Sequence, residues 1–154
     1  MPERGNSTSR RGLAVSRPRY NARDELPEDQ RNRYIVREWI DAKEVSFLLR
    51  NSKFVISRAG ANTVQELTLA GTPAIFIPLS FAYNNEQEKN ARSLVDAGAG
   101  LLILQKDLLP ETLYATVQTM NRRYDTLKKQ GKALSQQVVK NGAQKVLELV
   151  LKKE

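Results

Sequence analysis

The chain has 154 residues, 40% hydrophobic and 27% charged, enough for one domain with a modest core and too apolar for a disordered chain. It contains no cysteine and no histidine. That excludes disulfides, thiolate nucleophiles and zinc–sulfur centres, and leaves carboxylates, amides, hydroxyls and backbone groups for any chemistry. The net charge of +8 is uneven: residues 1–33 carry +3, residues 34–121 carry −1 and residues 122–154 carry +6.

Residues 1–30 mix Gly, Ser, Pro, Arg and acids without apolar periodicity and are expected to form a flexible basic tail. Their polar, Arg-rich start lacks a signal-peptide apolar region, and no apolar run approaches the roughly 20 residues of a membrane span. A cytoplasmic protein is the expectation. From residue 31 onward a single domain is expected.

Tyr34–Ile40 predicts a short strand, after which Asp41 offers a helix cap and Val45, Leu48 and Leu49 mark one helical face. Lys53–Ser57 predicts a second strand, followed by a small-residue loop and a helix from about Asn62 to Ala70, closed by Gly71. Pro73–Pro78 reads as a third strand, apolar on both faces as in a covered sheet. A polar loop then leads to a helix from about Asn85 to Ala97, and Leu101–Leu104 is the fourth strand. Pro110 suits a first helical position, with Leu113, Val117, Met120, Tyr124 and Leu127 along one stripe. Gly131 is expected to break that helix, and Val139, Ala143, Val146 and Val150 to define a last one. About four strands alternating with helices predict an α/β fold, a Rossmann-like, doubly wound parallel sheet with right-handed crossovers.

Two segments carry chemistry. The first runs from Ser57 to Leu67, Ser-Arg-Ala-Gly-Ala-Asn-Thr-Val-Gln-Glu-Leu, as strand, small-residue loop and helix start. Such a turn points free N–H groups and a positive helix end toward the carboxyl edge of the sheet, where a phosphate is stabilised. Gly60 would let a ligand approach the backbone, and Glu66, about one turn into the helix, could accept hydrogen bonds from two ribose hydroxyls. The alternative is a capping box, which Asn62 with Gln65 and Thr63 with Glu66 both fit and which needs no ligand. The second segment, Pro78–Ala91, also joins a strand end to a helix start. Gln87 and Asn90 stand three residues apart there, with amides that both donate and accept, as sugar hydroxyls require. Capping by Asn84 or Asn85, with Glu near the helix start for the dipole, is the alternative.

The compound pattern SRAGANTVQEL, GTPAIFIPL, NNEQEKNA and LVDAGAG resembles glycosyltransferase family 28, in its peptidoglycan N-acetylglucosaminyltransferase branch, over about residues 34–150. The resemblance implies the C-terminal, nucleotide-sugar-binding half of a two-domain GT-B enzyme, spanning residues 31–154 here. It implies inverting transfer of N-acetylglucosamine from its UDP donor to undecaprenyl-diphospho-muramoyl-pentapeptide, on the cytoplasmic face of the membrane. Ile40 would read the uracil through its backbone; Ala61, Asn62, Thr63, Val64, Gln65 and Glu66 would hold phosphate and ribose, with Glu66 on the ribose hydroxyls. Gln87 would hold the hexosamine, with Asn90 beside it. Glu86 sits where relatives often carry His or Gln. No donor-site metal and no cofactor are implied, and the helix terminus would stabilise the departing diphosphate.

The resemblance does not extend to the family's N-terminal domain, where the acceptor site and catalytic residues are expected, nor to the first strands of the C-terminal domain with their Gly-Gly-Ser turn. The strand at 34–39 would then either pair directly with the one at 54–57 or leave a bare edge. Two other readings stand beside this one. One is the donor-binding subunit of a two-chain N-acetylglucosaminyltransferase that needs a membrane partner. The other is a non-enzymatic basic module for nucleic acid or lipid, against which the lack of aromatics among the basic residues counts for nucleic acid. An anionic membrane surface is an expected partner of both transferase readings.

Overall fold

The computed structural model describes residues 12–15, 25–37, 39–81, 83–138 and 148. The chain divides into two compact units, Met1–Val45 and Ser46–Glu154.

In the first unit, β1 (Gly12–Val15) and β2 (Tyr34–Arg37) form a parallel pair with Gly12 opposite Tyr34 and Val15 opposite Arg37. A single helical turn, α1 (Glu28–Arg31), precedes β2. Strand β1 lies within residues 1–30, where the sequence predicts no element. Four residues are too few to register as a periodic pattern. Strand β2 stops at Arg37, short of the expected Ile40, and Trp39 beyond it is exposed. The expected cap forms: the Glu44 amide donates to Asp41 Oδ1 at 2.8 Å, satisfying one orphan N–H of α2 (Ala42–Asn51).

The second unit is a three-stranded parallel sheet in the order β3 (Val55–Ser57), β4 (Ala74–Phe76), β5 (Gly100–Leu102). Helix α3 (Ala61–Ala70) connects β3 to β4, and α4 (Glu86–Asp96) connects β4 to β5. Central β4 is buried on both faces, and the period-two alternation sorts its side chains between two cores. Ala74 and Phe76 pack with Val64, Leu67, Ala91 and Leu94 of α3 and α4. Ile75 packs with Ile103, Met120 and Leu127 on the side of α5 (Pro110–Arg122) and α6 (Tyr124–Gln137). Burying a side chain such as Phe76 stabilises the fold by about 1.5–3 kcal/mol. This is the layered α/β arrangement that alternating strands and helices predict.

The C-terminal helices depart from expectation at one point. Pro110 does open α5, and Leu113, Val117 and Met120 do face the sheet. The break, however, falls at Arg123, whose φ of −98° and ψ of 8° interrupt the helix, and not at Gly131. Helix α6 runs through Gly131, which is buried. A mid-helix glycine costs about 1 kcal/mol relative to alanine, and packing against the end of α3 accounts for it here. The last expected stripe, Val139, Ala143, Val146 and Val150, lies outside the described residues.

Candidate functional site at the carboxyl edge of the sheet

All three strands of the second unit end at one edge, where the turn into α3, the loop into α4 and the segment after β5 begin. Ligands of open α/β sheets bind at such edges. Strand β3 ends at Ser57, and only Arg58, Ala59 and Gly60 separate it from α3. Ala59 is fully buried, which anchors the turn from beneath.

The N-cap of α3 is Gly60, with φ −63° and ψ 148°, and no side chain caps the helix. Asn62 and Thr63 lie inside the helix, so the capping boxes that their spacing allows do not form at its start. The first hydrogen bond that closes on the cap runs from Val64 N to Gly60 O at 3.0 Å. The amides of Ala61, Asn62 and Thr63, which precede it, are the orphan donors of the first turn. A Cβ built on Gly60 meets no atom within 4 Å. The space over the turn is therefore open, and the protein's own packing does not require glycine there.

The expected residues fall on three faces of α3. Ala61 and Gln65 line a groove of about 340 Å³ between α3 and α4, with Val64 at its wall and Lys89 and Asn90 on the α4 side. Asn62 and Glu66, both exposed, lie one step round the helix, four residues apart on a stripe of their own. Thr63 is half-buried. Val64 is a core residue with its amide already bonded, so it can offer a ligand only part of the groove's wall.

The β4–α4 loop places Asn84 and Asn85 in the left-handed region, both with φ 54°, and neither side chain caps α4. Gln87 takes a related part: its Oε1 accepts from the Leu79 amide at 3.0 Å. Asn90 Nδ2 donates to the Ala59 carbonyl at 3.3 Å. Each amide therefore has one end committed to the protein. Gln87 keeps its NH₂ and Asn90 keeps its carbonyl oxygen, so the pair offers a ligand one donor group and one acceptor. Glu86 and Glu88 occupy the first turn of α4, where carboxylates suit the helix dipole; Glu88 Oε1 also accepts from both Nε and Nη2 of Arg92.

Ile40 belongs to the first unit, half-buried between Trp39 and the α2 cap Asp41. Two further residues stand at the sheet edge that the motifs alone do not select. Arg58 Nη1 donates to the Ile77 carbonyl at 2.9 Å and to Gln105 Oε1. An arginine directly after a strand and before a small-residue turn is a visible signal. Gln105, 47 residues further on, carries none.

A family model described as "Glycosyltransferase family 28 C-terminal domain" matches residues 22–146. The chain is 41% identical over 103 residues to a UDP-N-acetylglucosamine--N-acetylmuramyl-(pentapeptide) pyrophosphoryl-undecaprenol N-acetylglucosamine transferase of Bacillus cytotoxicus, covering 67% of this chain and 28% of that protein. It is 35% identical over 118 residues to the protein of the same name from Nocardioides, covering 77% and 32%. The chain thus spans about a third or less of the length of these curated relatives. The crystal structure of Acinetobacter baumannii MurG superposes with a TM-score of 0.73 at 26% identity, over 91% of this chain and 40% of that one. The forosaminyltransferase SpnP, at 17% identity and a TM-score of 0.61 over 80% of this chain and 28% of its own, shares the fold. With the two motif segments lying at one sheet edge and the family model spanning most of its length, the chain belongs to glycosyltransferase family 28, of which it carries the C-terminal domain.

Proposed function

We propose that this chain is the donor-binding part of an inverting hexosyltransferase that takes UDP-N-acetylglucosamine and delivers N-acetylglucosamine to undecaprenyl-diphospho-muramoyl-pentapeptide. The carrying observation is the first turn of α3: uncapped amides at Ala61–Thr63 beside a glycine with open space above it. There the diphosphate would accept from the backbone, and its growing charge on departure would be met by the positive helix end. Glu66 would accept from the ribose hydroxyls, and the NH₂ of Gln87 and the oxygen of Asn90 would bracket the sugar. The relatives' names supply the donor and the acceptor; the acceptor site and the catalytic groups are assigned to the remainder of such an enzyme, on the same chain or on a partner.

An anionic membrane surface is proposed as a further partner, with the protein peripheral on the cytoplasmic face. Arg122, Arg123, Lys129 and Lys132 are exposed around the α5–α6 junction with Asp125 as the one acid among them, a field that favours anionic headgroups. No helix among the described residues is long and apolar enough to cross a membrane.

Isothermal titration of the folded chain with UDP and with UDP-N-acetylglucosamine tests the donor assignment. Binding of both is expected, the sugar nucleotide more tightly. A folded chain that binds neither at millimolar ligand would remove it.

A further inference from the structure

Past the last rungs of the ladder at Ser57, Phe76 and Leu102, backbone pairing runs on only through the amides of Ile77 and Ile103, which donate to the Ser57 and Phe76 carbonyls at 2.9 Å. Arg58 spans that region. Its Nη1 donates to the carbonyl of Ile77, one residue past β4, and to Oε1 of Gln105, which opens the 3₁₀ turn after β5. Neighbouring strands lie about 4.8 Å apart, so one side chain with its glutamine partner crosses the ends of all three. The crossing is laced on both sides. The Ile77 amide donates to the Ser57 carbonyl at 2.9 Å, and Ser57 Oγ donates to the Arg58 carbonyl at 2.8 Å. From the α4 side, Asn90 holds the Ala59 carbonyl.

We propose that Arg58 is a positioning residue: through Ile77 and Gln105 it sets where the Ala59–Gly60 turn stands, and so where the first-turn amides of α3 meet a diphosphate. This rests on the donor-site assignment above. Arginine suits the task because one planar guanidinium nitrogen serves two acceptors in fixed directions, which a lysine ammonium on a flexible stem does not. Arg58 is exposed and contributes no buried packing, and the only salt bridge among the described residues joins Arg92 to Glu88. Its hydrogen bonds hold the turn without a carboxylate partner.

Amide hydrogen exchange and UDP titration on the full chain test the proposal, with Arg58→Met, Arg58→Lys, Gln105→Leu and the Arg58→Met/Gln105→Leu pair. Faster exchange over residues 58–63 is expected in Arg58→Met, with exchange in α5 unchanged and UDP affinity reduced about tenfold or more, as for loss of a charge-assisted hydrogen bond. Gln105→Leu should show the same pattern at smaller size, Arg58→Lys should recover part of the loss, and the double variant should bind no worse than Arg58→Met. Unchanged exchange and affinity in both single variants overturn the proposal, as do losses in the double variant that multiply. Should Arg58→Met fail to fold, Gln105→Leu decides. A parent chain that does not bind UDP refutes the donor site instead, and exchange over 58–63 alone then decides whether Arg58 positions the turn.

Discussion

Gly71 and Gly131 meet backbone to backbone. A Cβ on Gly131 would stand 3.0 Å from the Gly71 carbonyl oxygen, and one on Gly71 would stand 3.2 Å from the oxygen of Gly131. Gly71 closes α3 in the left-handed region with φ 59°, its amide bonding to the Leu67 and Thr68 carbonyls. The contact lets α6 lie directly on the end of α3. Around it, Ser135 Oγ donates to the Leu69 carbonyl at 2.7 Å. Leu127 and Leu134, four residues before Gly131 and three after it, enter the cores on opposite sides of the sheet.

Gly131→Ala should therefore destabilise the domain although alanine favours helix. The propensity gain is about 1 kcal/mol, and overpacking against rigid backbone costs about 1–3 kcal/mol. A melting temperature lowered by a few degrees is expected from thermal unfolding, with Gly131→Val lower still. A rise in Gly131→Ala would show that the two helices have room to separate.

Gly60→Ala should behave in the opposite way. Its φ suits any residue and its surroundings are open, so stability should change by less than about 1 kcal/mol. Affinity for UDP should nonetheless fall, because the methyl group occupies the space over the amides. Equal UDP affinity in the two proteins would mean that the diphosphate lies elsewhere.

Glu66 and Gln87 are separable by titration. Glu66→Ala removes an exposed carboxylate, and should weaken uridine and UDP alike without altering the melting temperature. Gln87→Glu keeps an oxygen for the Leu79 amide but loses the NH₂ group. It should reduce the advantage of UDP-N-acetylglucosamine over UDP and leave UDP itself unchanged. If Glu66→Ala lowers only the melting temperature, the carboxylate serves the helix and not a ligand.

Lys128 gives the fold a pH signature. Desolvation by burial, and then repulsion from Lys132, hold its pKa below the ordinary 10.5. The folded state thus binds this proton less tightly than the unfolded one, so the penalty is fully present below the folded-state pKa. It fades as pH rises from that value to 10.5. Lys128→Met should melt higher than the parent at neutral pH, with the gap closing as the alkaline range is entered. Lys128 Nζ donates to Thr72 Oγ1 at 3.4 Å, and without it Thr72 would keep its own bond to the Leu49 carbonyl at 2.6 Å. A gap that stays constant with pH would assign the difference to packing alone.

The sheet and its connecting helices are readable in the sequence because their signals are local: an unbroken apolar β4, Pro110 opening a helix, and two glycines of positive φ closing others, Gly71 after α3 and Gly98 two residues past the end of α4. The helix break is not, since Arg123 carries no breaker chemistry while Gly131 does, and the need for Gly131 arises from Gly71, 60 residues away. Spacing also misleads at the start of α3. Thr63 and Glu66 fit a capping box, but the N-cap falls three residues earlier, at Gly60, because the strand ends at Ser57 and three residues complete the turn. At the site, the positions of Gln87 and Asn90 on one helix are legible. Which half of each amide remains free is decided by Leu79 and Ala59, and no one-dimensional pattern records it.

The most direct measurement is amide chemical-shift mapping of the folded chain during addition of UDP. The largest shifts are expected at the backbone amides of Gly60, Ala61, Asn62 and Thr63, saturating with a single affinity that Gly60→Ala weakens. Shifts confined to the basic α5–α6 junction, or none at saturating nucleotide, would contradict the account.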